Sequence, residues 1–417
     1  MATQNLTNAD AILKDLYVGP IVEQLNQKTY MLDQIQRDSD HIDHTGRRAV
    51  IPVHSGRNRG RASIVDGGTL PVAGRQQWQD AIVPIRYHTY GIELTDASIE
   101  ATKSNEGAFV SLMEAESRGV AQDMKKDINR QVYGVRDAGG ATGLLGTTGV
   151  TAGSTTVVMA NSNAVQYIQI GDVIDIRTQT TGAAVTNGTN RTVTGRNVAG
   201  ATIAIADGGG NVTTAATEGV YLAGNRNNEM DGLRDITNTG RTLHGINSAT
   251  AGNEFWNGQR LDAAAGVAGE SLFEQLMDNV GAGGNGEIEA IVTTRGIRRR
   301  LADTYQSQKR FNDAQAVTVH GGYSAIMVNE VPVVADDDAP KGFAFGINKS
   351  SLKWFEQTRP GWLESKDGMI FHLKVTAAAP AQRDSVWQAW FRWYAALGSV
   401  APGRNGAIFN AQDDNPA

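Results

Sequence analysis

Two runs of alternating apolar residues, Arg48 to Ser55 (RAVIPVHS) and Ala81 to Leu94 (AIVPIRYHTYGIEL), flank a tip too polar to form a core. A period of two marks strands. The tip, Gly56 to Gly74, is rich in glycine and arginine, so the two runs describe an extended hairpin that projects from its domain. A two-stranded ribbon is marginally stable alone in water, and its open edges invite another surface. Any fold for this chain therefore has to provide that arm with a partner.

The 417 residues suffice for two or three domains. Cysteine is absent, which removes disulfides, thiol nucleophiles and cysteine-based metal sites. The formal net charge of −6 argues against a dedicated nucleic-acid binder with a basic surface all round. No run approaches the roughly 18 apolar residues of a membrane span, and the start MATQNLTNAD lacks signal-peptide features. The expectation is a soluble protein made inside the cell, with no membrane partner.

Along the chain, a helical pattern from Ala9 precedes the arm. After it, Phe109, Leu112, Met113, Val120, Met124, Ile128 and Val132 recur at helical spacing within Glu106 to Tyr133. Asn105 is a suitable N-cap and Gly134 a suitable stop. Twenty-eight residues make about 42 Å of helix, long enough to act as a strut. Between Gly146 and Gly224 charges thin out, and short strands recur at 155–160, 172–178, 191–196, 201–207 and 219–224. That spacing, with Gly and Asn turns, indicates a small barrel or sandwich inserted into another domain. Mixed patterning then predicts a helix from Gln259 to Val280, a strand Ile288 to Thr293 and a helix Arg295 to Gln306. Further strands are predicted at Ser324 to Val328, Val331 to Ala335 and Ala344 to Ile347. In Met369 to Ala377 the side chains of Met369, Phe371, Leu373 and Val375 share one face, and Ser385 to Gly398 is too aromatic for an exposed strand.

No constellation requires catalysis. Gly281 to Gly286 (GAGGNG) has nucleotide-loop spacing, but it follows a helix and precedes a strand, the reverse of what such a site needs. His41-Ile42-Asp43-His44 matches no metal spacing and reads as a solvated turn. Asp336-Asp337-Asp338 starts like a calcium loop, yet Pro340 takes a ligand position, so a polar turn is expected. His54 with Ser55, and His320 near Ser324, lack an orienting acid. Catalytic residues, cofactors and metals are all expected to be absent.

The basic residues say more. Of 38 lysines and arginines, 11 are lysines, and none of these falls between Thr29 and Thr102. The arm uses arginine, whose planar fork pairs bidentately with carboxylates or phosphates. The candidate inter-subunit contacts are Arg47, Arg48, Arg57, Arg59, Arg61, Arg75, Trp78 and Arg86. A neighbouring subunit is the favoured acceptor, and a merely solvated arm is the alternative. Arg298-Arg299-Arg300 reads as one solvated helix face.

In this order the parts resemble the tailed-bacteriophage major capsid proteins, whose fold is shared with encapsulin shells. The resemblance rests on the arm, the strut helix and the phrases EIEAIVTTRGIRRRLADTY at 287–305, GGYSAIMVNEVPVVADDDAP at 321–340 and VAPGRNGAIFN at 400–410. It implies an α+β chain with an N-arm, an extended β-hairpin loop, a long spine helix, an axial α/β domain and an inserted β-barrel-like domain. The implied boundaries are 1–46 for the arm helix, 47–95 for the extended loop, and 96–145 for a peripheral domain with the spine. The insert takes 146–224, the axial domain 225–347, the long peripheral strands 348–399, and the last axial strand and tail 400–417.

The resemblance further implies hexamers and pentamers of this chain in an icosahedral shell around double-stranded DNA. Expected partners are the chain itself, a separate scaffolding protein, a portal and a decoration protein, with packaged DNA touched non-specifically. A separate scaffold is expected because the first Met lies close to the arm helix. Some such shells are welded by an isopeptide bond from a lysine in the extended loop. This loop has no lysine, so a non-covalent shell is expected. The rival readings are an encapsulin compartment and, in another class, a β-rich hydrolase or carbohydrate-binding protein.

Overall fold

A computed structural model of the protein describes residues 29–37, 48–101, 112–308, 317–319, 323–365, 368–375 and 383–414. The helix expected from Ala9, the His41 to His44 turn, Arg47, His320 and the first turns of the spine helix lie outside these residues. The chain divides into two compact units. One comprises Met1–Gln27, Thr89–Asp123 and Trp362–Phe391; the other comprises Lys28–His88, Met124–Gly361 and Arg392–Ala417.

The larger unit begins with a short helix α1 (Tyr30–Gln34). The predicted hairpin follows as β1 (Arg48–Gly56) and β2 (Gln77–Pro84), antiparallel from Arg48↔Pro84 to Gly56↔Gln77. The second predicted run does not continue to Leu94. It breaks at Ile85, and β3 (Arg86–Thr95) leaves the hairpin to pair in another sheet. Pro84 cannot donate to the ladder, so a break beside it is physically natural. The spine helix α2 is described from Leu112 to Val132 and buries Val120, Met124, Ile128 and Val132, four residues apart on one face. It stops where expected, with the Gly134 amide bonded to the Gln131 carbonyl at 2.9 Å.

The insert is a closed barrel. Its strands β4 (Gly146–Thr147), β5 (Thr156–Val158), β6 (Val173–Thr178), β7 (Arg191–Asn197), β8 (Thr202–Ile205) and β9 (Glu218–Leu222) pair in the order β4-β9-β6-β7-β8-β5. The two end strands meet through an antiparallel bridge, Thr148↔Met159, with Gly149 donating to Val158 and Ala160 to Thr147. Closure removes the open edges. Val157, Ile168, Ile174, Ile176, Val193, Ile203 and Val220 fill the interior.

The remaining α/β part is a seven-stranded mixed sheet. Its elements are β10 (Gln259–Asp262), helix α3 (Glu270–Gly284), β11 (Ala290–Thr293), helix α4 (Arg295–Gln308), β12 (Val317–Val319), β13 (Tyr323–Val328), β14 (Val331–Ala335) and β15 (Ala344–Ile347). The strand order is β10-β19-β15-β11-β14-β13-β12, where β19 (Gly406–Phe409) is the returning strand expected near the end of the chain. Phe273, Leu276 and Val280 of α3 and Ile297 and Leu301 of α4 pack on Ile291, Val333 and Ile408. The predicted helix Gln259 to Val280 is corrected. Its first residues form β10, parallel to β19, and α3 starts only at Glu270, after Ala264 and Ala265 adopt positive φ. GAGGNG closes α3 with Asn285 left-handed, so it is a helix-to-strand connection as read.

In the smaller unit, β17 (His372–Val375) pairs with the first part of the long strand β18 (Arg383–Ser399), placing Leu373 opposite Trp387. Its core gathers Ile92, Val120 and Ala389 with Tyr90, Trp362, Ile370, Phe371 and Phe391. Before them in the chain, β16 (Leu352–Trp362) pairs with the two-residue strand Gln36–Arg37 in the larger unit.

The aspartate run after β14 forms a turn, as expected, but a buried one. Asp336 and Asp338 are buried. Asp336 Oδ2 accepts from Tyr133 Oη at 2.9 Å and from the Met31 amide at 3.4 Å, and Asn129 Nδ2 donates to both aspartates. Lys126 pairs with Asp338 at 2.8 Å. These carboxylates fasten α2 and α1 to the end of the sheet, and removing one partner of a buried network costs about 3 kcal/mol. Asp336→Ala is therefore expected to lower the urea unfolding free energy of the unassembled chain by that order. A loss under about 1 kcal/mol would show the network to be dispensable.

Candidate assembly interface

The arm is packed at its base and bare at its tip. Ala49, Ile51, Ala81 and Val83 are buried, the Ile82 amide donates to the His244 carbonyl at 2.7 Å, and Gln79 Nε2 donates to Asn253 Oδ1 at 2.8 Å. Above His54 and Trp78 the chain leaves this support. Trp78 is 67% exposed, and Val65, Leu70 and Val72 at the tip are 78%, 77% and 90% exposed. Large apolar side chains this bare on a projecting ribbon lack the burial that would repay their ordering in a lone chain.

The tip nevertheless has a defined shape. Asn58 organises it, with Nδ2 donating to the Gly74 carbonyl at 3.2 Å and Oδ1 accepting from the Gly60 amide at 2.8 Å. Gln76 Oε1 accepts from the Asn58 amide at 3.1 Å and lies 2.8 Å from His54 Nε2. The two sides approach so closely that a Cβ on Gly60 would sit 2.4 Å from the Gly74 nitrogen. His54 packs against Trp78 with ring centroids 4.9 Å apart. An arm pre-shaped in this way gives up less entropy on docking.

The predicted contact residues separate into groups. Arg57, Arg59, Arg61 and Arg75 are all exposed around the tip, and none of them makes an ion pair among the described residues. Over residues 57–76 these four arginines stand against Asp66 alone, a net of +3 on a chain of net −6. Arg48 is exposed at the base of β1 and Trp78 is on β2 beside the tip. Arg86 does not belong with them. It is half-buried beyond the hairpin, where Nη1 donates to the Asn227 carbonyl at 2.7 Å, so its role in this chain is internal.

Sequence reasoning missed the anchor beneath the arm. His244 is buried with φ of +51°, its carbonyl holds Ile82, and its Nε2 accepts from the Ser399 amide at 3.2 Å. Its Nδ1 faces Asp231 at 3.6 Å, next to Arg136 and Arg241. A second exposed apolar edge was also missed: Met369, Leu373 and Val375, expected on one face, remain exposed.

No protein-family model matches the sequence, and neither does any curated protein. Among solved structures, the capsid asymmetric unit of cyanophage A-1(L) aligns over 97% of this chain and 98% of its own, with a TM-score of 0.58 and 11% identity. The chain has a phage-capsid fold. The capsid of a native GTA particle covers 99% of this chain at TM-score 0.49 and 9% identity. The encapsulin of Synechococcus elongatus covers all of it at TM-score 0.48 and 9% identity. The assignment rests on the cyanophage subunit, which shares the fold across nearly the full length although little of the sequence is common.

Buried imidazoles make this capsid-fold chain acid-sensitive. Burial pushes His244 and His88 from 6.5 down to about 4, so both are neutral when folded and both protonate on unfolding. Burial beside Asp231 raises Asp235 from 3.8 to about 7, which acts in the opposite sense. Burial raises Asp338 likewise, so the carboxyls oppose the imidazoles; the His244 imidazole by itself leaves the unfolded state up to one proton richer between about pH 4 and 6.5. That group alone is expected to lower stability by up to about 1.4 kcal/mol per pH unit as pH drops through that window. Urea midpoints from pH 7 to 4 measure it; His244→Gln should flatten the slope, and an unchanged slope in that variant would contradict this assignment.

Proposed function

We propose that the protein is a major capsid protein that assembles as hexamers and pentamers into an icosahedral shell around double-stranded DNA, held without covalent links. The observation that carries this reading is the arm on a capsid fold: a pre-shaped ribbon with bare apolar residues and four exposed arginines at its tip, none in an ion pair among the described residues. Such a surface gains only by burial on another copy. The arginine forks suit carboxylates on the neighbour, and Trp78 with Val65, Leu70 and Val72 supplies apolar area. The chain carries formal charge of −9 outside the tip, so attraction between arm and neighbouring surface has the right sign.

Scaffolding, portal and decoration proteins are the partners this role implies, with the barrel displayed on the shell or reinforcing contacts between subunits. The division into arm, extended loop, peripheral, inserted and axial parts is proposed with the same boundaries as above.

Expressed with its neighbouring gene products, the protein is expected to give round shells in negative stain and to elute as large particles. A monomer or small oligomer under assembly-permissive conditions would overturn the reading. Nuclease-protected DNA in purified particles separates a capsid from an encapsulin-type compartment. Replacing Arg57, Arg59, Arg61 and Arg75 together by Glu should abolish shells while leaving the melting temperature of the unassembled chain within a few degrees, since exposed tips contribute about 0.5 kcal/mol or less each.

The arm offers no lysine for an isopeptide weld. Mature particles boiled in detergent are therefore expected to run as single chains of one size. A ladder of covalent oligomers would refute the non-covalent shell.

A further inference from the structure

The three consecutive arginines of α4 are not a plain solvated face. The last described residues of the chain lie against Arg299 and Arg300. The Ala411 amide donates to the Gly342 carbonyl at 3.0 Å and the Gln412 amide to the Gly266 carbonyl at 2.8 Å, which fixes the approach. Asp413 Oδ2 then accepts from Thr294 Oγ1 at 2.7 Å and from the Gly342 amide at 3.0 Å. Asp414 completes the strap: its carbonyl accepts from Arg299 at 3.1 Å, and its carboxylate pairs with Arg300 Nε.

Without this strap, α4 would present a concentrated positive surface. Residues 295–308 hold Arg295, Arg298, Arg299 and Arg300 against Asp303, a net of +3 on one helix of an acidic chain. Asp337 takes up Arg295. Arg299 is exposed, Arg300 and Asp414 are each partly open to water, and the pair they form is one that solvent ions can compete for. The strap is thus attached through two backbone bonds and Asp413, and more weakly where Asp414 covers Arg299 and Arg300.

We infer that Arg299 and Arg300 of α4 form a contact site for DNA phosphates, covered in the free chain by the Asp413-Asp414 strap. This deepens the shell reading and rests on it, because it assigns the packaged polyanion a place on the subunit. Phosphate oxygens are acceptors of the same kind as the Asp414 carboxylate, and a duplex presents them in a row that matches several arginines at once. Asp414 competes for the same guanidinium groups, so a low concentration of phosphate leaves the face closed, and the dense charge of a confined duplex opens it. The contact reads no sequence and weakens with salt.

The test is fluorescence anisotropy of a labelled 30-base-pair duplex with the full, unassembled chain at several salt concentrations. Asp414→Asn, which leaves the Asp413 anchor in place, is expected to tighten binding about tenfold at low salt. Asp413→Asn with Asp414→Asn should tighten it further. Adding Arg299→Gln and Arg300→Gln should cancel the gain and reduce the salt slope by about 0.9 for each phosphate no longer neutralised. Asp66→Asn with Asp80→Asn adds the same charge on the arm and serves as a control; it is expected to leave affinity near that of the parent.

A gain of equal size in the control, or one that survives the arginine substitutions, would overturn the inference as a general charge effect. No gain in either tail variant would overturn it as well. Negative stain of the same variants separates the two readings: shells that form normally while DNA binding stays unchanged count against the strap alone, whereas the absence of shells from the parent counts against the capsid reading.

Discussion

Two buried carboxylates hold the larger unit in register. Asp336 and Asp338 sit at the end of β14, where a strand would ordinarily run out into solvent, and they are surrounded by donors from α2 and by the first amides of α1. A carboxylate can be buried there only because Lys126, Asn129, Tyr133 and Met31 all reach it. The barrel adds to the same junction, with Tyr167 Oη and Gln166 Nε2 donating to the carbonyls of Asp338 and Asp337. Helix, sheet and insert therefore meet at one polar cluster. Hydrophobic packing supplies most of the stabilisation, while this cluster selects a single arrangement.

That selection matters for the arm. A projecting ribbon has little to define its direction except its root, and here the Ile82 amide at the root is tied to the His244 carbonyl, while His244 itself is held by the Ser399 amide on its ring. The imidazole works as a spacer that accepts on one nitrogen and faces Asp231 with the other. An uncharged ring suits that position, which is why burial and function agree there. The bare tip and the fixed base are two halves of one design, in which order at the root allows exposure at the end.

Much of this was legible in the sequence, for reasons that differ between elements. The hairpin, the spine and the barrel strands carry strong periodicity, because each buries one face against a core, and periodicity is what a sequence displays best. The helix expected at Gln259 failed because LDAAAGVAG has good helix formers but no caps, and tertiary pairing with β19 overrode local preference. Alternation alone overstates the arm because β3 alternates as regularly as β2, and only strand pairing reveals that it belongs elsewhere. Among the candidate contacts, Arg57, Arg59, Arg61 and Arg75 lie together at the tip, whereas Arg86 is turned inward by a carbonyl some 140 residues away in sequence. His244 gave no signal at all, since what it offers the arm is a backbone carbonyl in a left-handed conformation. Asp336 was visible as an acid yet misjudged, because burial of a charge depends on partners that only folding assembles.

The barrel enters and leaves the larger unit through adjacent strands: Gly146 faces Val220 and Thr147 faces Gly219 across the β4-β9 pair. Its two ends are thus separated by no more than the width of a ladder. The module has its own core and its own closed hydrogen bonding, so the surrounding chain sees it as little more than a tight turn. Its length and outer loops can change over generations without altering the spacing of anything else in the subunit. Such a module can vary its outer loops while the fold that carries it keeps its geometry.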